Sequence, residues 1–253
     1  TVADLIPQIL PGSADEFRLL TDAVGGKGYR QIDINLGCPF PMIAGKHKGA
    51  GMLLYPAQVA EVLAPIAEYP EIQFSLKMRL GWENASECMV LVELLNAIRL
   101  SRIALHARTG KQQYKGHPDL EAFQGFYELC QHPLYYNGGI ESLSDIRQIL
   151  IRFPLLKGVF IGRGLLSSPL LAKEFKGNET FLPEQRMSIY FAFHEELFSA
   201  YSQVLQGETQ LLVKMKTLWE YFLPETDRKL LKRIKKSTRL QQYTESVKAI
   251  FTS

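Results

Sequence analysis

Along the first two thirds of the chain, short apolar runs alternate with amphipathic stretches. The apolar runs Leu5–Leu10, Gln31–Leu36, Phe74–Arg79, Arg102–His106, Leu134–Asn137 and Gly158–Ile161 have strand length. Most read as apolar on both faces, the pattern of parallel strands buried under helices. Between them lie helix signals. Ser13-Ala14-Asp15-Glu16 forms a capping box ahead of Phe17, Leu20 and Val24, and Gly25-Gly26 can stop that helix. Pro56 suits a first helical turn before Val59, Val62, Leu63 and Ile66. Ser86, Pro118 and Ser142 each precede another apolar set at helical spacing. A repeated βα unit predicts a parallel sheet. Six strands are two short of a closed (β/α)8 barrel, so the sheet is either open and doubly wound or lacks two βα units. From about Phe181 the strand-like runs stop. Helical patterns over Glu184–Leu205, Thr209–Phe222, Glu225–Lys236 and Leu240–Phe251 predict a separate bundle. The expected organisation is an α/β domain over residues 1–180 and an all-α domain over 181–253.

Composition leaves this picture unchanged. Of the 253 residues, 46% are apolar and 22% charged, an ordinary globular balance. No apolar run reaches the roughly 20 residues of a membrane span, and the opening residues carry no secretory pattern. Cys38, Cys88 and Cys130 are odd in number and widely spaced, which fits neither a disulfide framework nor a metal site. A reducing cytoplasm is the expected compartment. The net charge is only +3, but its distribution is uneven. Arg228, Lys229, Lys232, Arg233, Lys235, Lys236 and Arg239 follow one another with no acidic residue between them. Such a run is either a solvated helix face or a phosphate-contacting surface for nucleic acid.

Parallel α/β folds gather their chemistry at the C-terminal ends of strands. There the chain places Gln8, Asn35 with Gly37-Cys38-Pro39, Lys77 with Arg79, His106-Ala107-Arg108-Thr109, Asn137-Gly138-Gly139 and Gly162-Arg163-Gly164. The two glycine turns suit a phosphate, which backbone N–H groups ahead of a helix can bind. Lys77, on an apolar strand, belongs either to an internal ion pair or beside an anionic cofactor. His106 could be a satisfied core residue, but Arg108, Gln112 and Tyr114 close behind it favour a ligand-facing loop. Cys38 lies between Gly37 and Pro39, where a core residue is not expected. An unperturbed thiol, with a pKa near 8.5, can donate a proton at neutral pH.

These elements resemble, in order and spacing, the tRNA-dihydrouridine synthases. The resemblance is carried by Pro7-Gln8-Ile9-Leu10, Asp33-Ile34-Asn35-Leu36-Gly37-Cys38-Pro39, Gly49-Ala50-Gly51-Met52-Leu53-Leu54, Lys77-Met78-Arg79-Leu80-Gly81-Trp82, His106-Ala107-Arg108-Thr109, Gln112-Gln113-Tyr114, Asn137-Gly138-Gly139-Ile140 and Gly162-Arg163-Gly164. A looser likeness continues through Lys214-Met215-Lys216 and Trp219. The resemblance implies an FMN-binding (β/α)8 TIM barrel, six of whose eight strands are present, followed by a helical tRNA-binding domain. It also implies a natural protein longer by about 50–60 residues, two βα units of roughly 30 residues each. Gln8, Lys77, His106, Asn137, Gly139, Gly162 and Arg163 would bind FMN, with Gly139 standing where many relatives carry an acidic residue. Cys38 would be the catalytic proton donor, with NADPH as the source of reducing power. Asn35 and Arg108 would grip the uracil, and Lys232, Arg233, Lys235 and Lys236 would contact tRNA. A monomer without metal is expected, and the stretches through Trp82 and Leu240 look most like the bacterial C-type subgroup that acts on a D-loop uridine at position 16. The alternatives are an FMN barrel reducing a free small molecule, as a dihydroorotate dehydrogenase does, or a truncated, non-catalytic tRNA-binding protein.

Overall fold

The structure is a computed structural model and describes residues 5–252. Contacts within the chain separate two compact units, residues up to 139 with 146–160, and residues 140–145 with 161 onward.

The first unit is an alternation of strands and helices: β1 (Gln8–Ile9), α1 (Ala14–Gly25), β2 (Gln31–Leu36), α2 (Pro41–Ala44), α3 (Pro56–Leu63), β3 (Gln73–Gly81), α4 (Glu87–Asn96), β4 (Arg102–Thr109), α5 (Leu120–Leu129), β5 (Leu134–Asn137), most of α6 (Leu143–Arg152), and β6 (Gly158–Phe160). All six strands are parallel and lie in sequential order. A doubly wound sheet reverses its strand order at a switch point; this one does not, and its winding is that of a (β/α)8 barrel. Local chemistry accounts for the element boundaries. Ser13 Oγ accepts the Glu16 N–H at the start of α1. The Glu16 carboxylate does not close the expected capping box; it takes the Gly12 N–H and Lys48 Nζ instead. Pro56 opens α3, and Asp119, directly after Pro118, caps α5 by accepting the Ala122 N–H.

Register corrects one expectation. Asp33, Ser75 and Arg102 are partners across β2, β3 and β4; so are Asn35, Lys77, Ala104 and Tyr135 through β5, and Arg79, His106, Asn137 and Phe160 through β6. Partners and every second residue share a face. One face is therefore apolar, with Ile32, Ile34, Leu36, Phe74, Leu76, Met78, Ile103 and Leu105 buried. The other face is largely polar, even where it is buried. The central strands are not apolar on both faces as their composition suggested. Strand lengths differ too: β1 keeps only two of its six expected residues, whereas β4 runs on through Thr109.

The second unit contains α7 (Arg163–Ser167), α8 (Leu171–Gly177), α9 (Pro183–Val204), α10 (Gly207–Leu218), α11 (Arg228–Lys236) and α12 (Leu240–Phe251). Its core gathers Leu170, Tyr190, Met215, Trp219, Phe222, Ile234, Tyr243 and Val247. Leu170 is part of that core, which explains why residues 161–180 cluster with the helices that follow them.

Candidate active site

The loop leaving β2 is held by the N–H and carbonyl groups of Gly37 and Cys38. Asn35 Oδ1 accepts the N–H groups of both Gly37 and Cys38, at 2.9 and 2.8 Å. Arg79 Nε donates to the Gly37 carbonyl at 2.9 Å, and the Ala50 N–H donates to the Cys38 carbonyl at 3.0 Å. Two glycines let this happen. Gly49 has φ +56° and would drive a Cβ to 2.8 Å from the Cys38 oxygen; a Cβ on Gly51 would sit 2.4 Å from the Ala44 oxygen. The 3-10 turn Gly49–Leu54 can press on the loop only because both residues lack side chains. The loop is thus pre-ordered, and Cys38 is a half-buried free thiol on it.

Asn35 is itself oriented by a chain of side chains. Ser75 Oγ donates to Asp33 at 2.5 Å; Gln8 Nε2 donates to Asp33 at 2.6 Å; Asn35 Nδ2 donates to Gln8 Oε1 at 2.6 Å. A carboxylate only accepts, so Asp33 sets the direction of both amides. The Asn35 oxygen is left facing the Cys38 N–H. Asp33 and Ser75 escaped notice as candidates in the sequence, although their alternation with Asn35 and Lys77 marks the polar face.

Lys77 stands on that face, half-buried, and no ion pair engages it among the described residues. Burial holds its pKa below the usual lysine value, Arg79 adds like-charge repulsion, and Asp33 opposes both. An anion beside Lys77 would relieve that penalty. His106 and Arg108 are each 5% exposed. The Arg108 guanidinium only donates, so the 3.2 Å contact from its Nη1 makes His106 Nε2 an acceptor and puts a neutral ring's proton on Nδ1. Arg108 also holds the Gly116 carbonyl through Nε and Nη2, at 3.3 and 2.9 Å, which orders the following loop. Asn137 Nδ2 donates to the Phe160 carbonyl at 2.8 Å. Gly139 has φ +64°, a conformation that favours glycine.

Gln8, Asn35, Cys38, Lys77, His106, Arg108, Asn137 and Gly139 all belong to the first unit. Gly162 and Arg163 belong to the second. Nothing lies within 4 Å of a Cβ placed on Gly162, whereas one on Gly164 would meet the Ile140 oxygen at 2.2 Å. Gly164 is therefore required by packing.

In the second unit, α11 carries six cations in nine residues, all exposed. Asp227 caps it by accepting the N–H groups of Lys229 and Leu230, and Ile234 anchors it in the core. No acidic residue pairs with these cations among the described residues. Lys229, Lys232, Arg233 and Lys236 line one groove with Gln242 and Glu245 of α12; Lys235 lies outside it. Met215 and Trp219 are core residues, and Lys216 Nζ caps the Ser237 carbonyl at 2.9 Å. No group of side chains suited to a metal ion and no helix long and apolar enough to cross a membrane occurs among the described residues.

The family model described as "Dihydrouridine synthase (Dus)" matches residues 5–252. A probable tRNA-dihydrouridine synthase of Rhizobium leguminosarum bv. phaseoli is 32% identical over 139 residues, covering 54% of this chain and 44% of that protein. The tRNA-dihydrouridine synthase B of Vibrio vulnificus (strain CMCP6) is 27% identical over 161 residues, covering 62% and 50%. The chain thus spans about half the length of the curated relatives it matches. Among solved structures, a morphinone reductase aligns with TM-score 0.49 at 14% identity, over 68% of this chain and 51% of that one. The match of the family model across nearly all of the chain is decisive: the chain belongs to the dihydrouridine synthase family.

Proposed function

We propose that this chain forms the acid-bearing and cofactor-facing part of a tRNA-dihydrouridine synthase, which reduces a uridine of the tRNA D-loop to 5,6-dihydrouridine. The observation that carries the reading is the pre-ordered Cys38 loop at the end of β2, on a sheet whose polar face presents an unpaired Lys77.

The donors that these residues offer fit an FMN group. Lys77 supplies a cation without a partner, suited to the N1/O2 edge of a flavin, where negative charge develops on reduction. Gln8 keeps a second amide hydrogen and a second lone pair beyond its bonds to Asp33 and Asn35. His106 and Asn137 complete the set on neighbouring strands, and Gly162 and Arg163 are the phosphate ligands that the family motif implies. When bound, FMN supplies the hydride for uracil C6, replenished from NADPH. The protein does the rest. Cys38 donates a proton to C5, Asn35 keeps the loop beneath it in place, and Arg108 orders the loop that faces the base. The target uridine must leave its stack to reach these groups. The exposed cations of α11 bind the tRNA backbone, whose phosphates replace the acidic partners these residues lack.

Mapping dihydrouridine in tRNA from cells lacking the gene tests this reading and names the position. Loss at one position, restored by the intact gene, is expected. An unchanged map, or purified protein that reduces free uridine or dihydroorotate but not unmodified tRNA, would overturn it.

A further inference from the structure

Arg79 is among the largest fully buried side chains, 2% exposed, yet no carboxylate pairs with it among the described residues. Buried arginines ordinarily need such a partner. Here three backbone carbonyls take its place, one on the loop after β2, one on the last residue of β4 and one on the loop after it. Nε donates to Gly37, the residue before the acid; Nη1 donates to Thr109 at 2.9 Å and to Gln113 at 2.7 Å. The guanidinium lies 5.5 Å from the centre of the Tyr114 ring, which is itself 54% exposed. Gln113 has φ +51°, a left-handed conformation that is strained for a residue with a side chain. That turn aims the Gln113 carbonyl at Arg79. The turn is also held by the Gln113 N–H to the Gly110 carbonyl and by reciprocal bonds between Thr109 and Gln112, and Arg79 is what links it to the Cys38 loop.

We propose that Arg79 is a positioning residue that ties the Cys38 loop to the Thr109–Tyr114 loop, so that the acid and the second loop hold one shared arrangement. A planar fork with several fixed donors can serve carbonyls in two directions, and the point charge of a lysine cannot. Burial lowers the Arg79 pKa to about 10, with Tyr114 and Cys38 pulling the other way, so the group stays cationic at neutral pH. The inference rests on the reading above only in naming Cys38 as the acid.

The test uses the intact flavin-loaded protein, with Arg79→Lys as the main variant. Two readouts need no tRNA: the rate of Cys38 alkylation by iodoacetamide as a function of pH, resolved from Cys88 and Cys130 by peptide mass, and amide hydrogen exchange in both loops. Arg79→Lys is expected to retain a cooperative melt and normal NADPH oxidation. It should shift the alkylation profile and speed exchange at Cys38 and at Gln113 together. With tRNA, kcat should fall about 10- to 100-fold at unchanged KM, the scale of a misplaced reacting group. Gln113→Pro leaves Arg79 intact but cannot adopt φ +51°. Although it lies far along the chain from Cys38, it should alter Cys38 alkylation in the same direction, and it decides the matter if Arg79→Lys does not fold. Wild-type Cys38 reactivity in Gln113→Pro, or faster exchange in only one loop of Arg79→Lys, would overturn the proposal. Coupled loops in a protein that makes no dihydrouridine would uphold it while refuting the proposed function.

Discussion

Cys38 differs from the other two cysteines in its surroundings. Cys88 is buried, and desolvation pushes its pKa up to about 12; burial raises Cys130 as well. Cys38 sits on a loop whose backbone groups at Gly37 and Cys38 are all hydrogen-bonded. Cys38→Ala should therefore keep bound flavin and NADPH oxidation but abolish dihydrouridine formation, as followed by flavin absorbance and tRNA mapping. The position of the loop depends on glycine at 51 as much as on any polar group. Gly51→Ala places a methyl within 2.4 Å of the Ala44 backbone oxygen, so the turn must move. Overpacking of this kind costs about 1–3 kcal/mol, which would appear as a lower denaturation midpoint together with altered Cys38 alkylation. The cysteine and its motif were legible in the sequence. The role of Gly51 was not, because its reason is a close approach to Ala44, earlier in the chain, that only the folded loop creates.

At the scale of elements, α11 shows what a helix can do with one buried residue. Ile234 holds it in place, Asp227 caps it, and its cations remain in solvent without acidic partners. Replacing Lys229, Lys232, Arg233 and Lys236 with Ala should weaken tRNA binding at every sequence alike. The slope of log K against log salt should flatten by roughly 2.8–3.6, at about 0.7–0.9 for each phosphate no longer neutralised. An unchanged slope would return the helix to a solvated face. The basic run was plain in the sequence, but the groove was not: spacing along the chain groups Lys235 with the others, and the packing against α12 leaves it outside. The sheet shows a similar limit. Hydrophobic content located β2 to β5, yet the shared polar face of Asp33, Ser75, Lys77, Arg79 and His106 emerged only from strand register. Polar residues could occupy that face because Ser75 is met by Asp33 and Arg79 by backbone carbonyls.

For the molecule as a whole, the helical unit hides a histidine in its core. His194 is 1% exposed; its Nε2 lies 2.7 Å from the Tyr243 hydroxyl, which also accepts from Trp219 Nε1 at 3.0 Å, and its Nδ1 lies 3.1 Å from Glu195. A neutral ring accepts the Tyr243 proton at Nε2. A charged ring would leave that hydroxyl hydrogen without an acceptor. Burial lowers the His194 pKa below its usual value near 6.5, and Glu195 only partly opposes this. The unfolded chain then binds the proton more readily than the folded one, so stability is full above about pH 6.5 and is lost as pH falls through the folded value. Thermal melts of the intact chain between about pH 7.5 and 5 should show a falling Tm, with a smaller pH dependence in His194→Gln. By itself the sequence determined the alternation of strands and helices, the helical second part, the Cys38 motif and the likeness to a family, because periodicity and short motifs are properties of local spacing. The tertiary structure alone decided which buried polar groups answer one another. Arg79 with Gly37 and Gln113, Asp33 with Gln8, and His194 with Tyr243 are partners between 25 and 49 residues apart, and separations of that size carry no periodic signal along the chain.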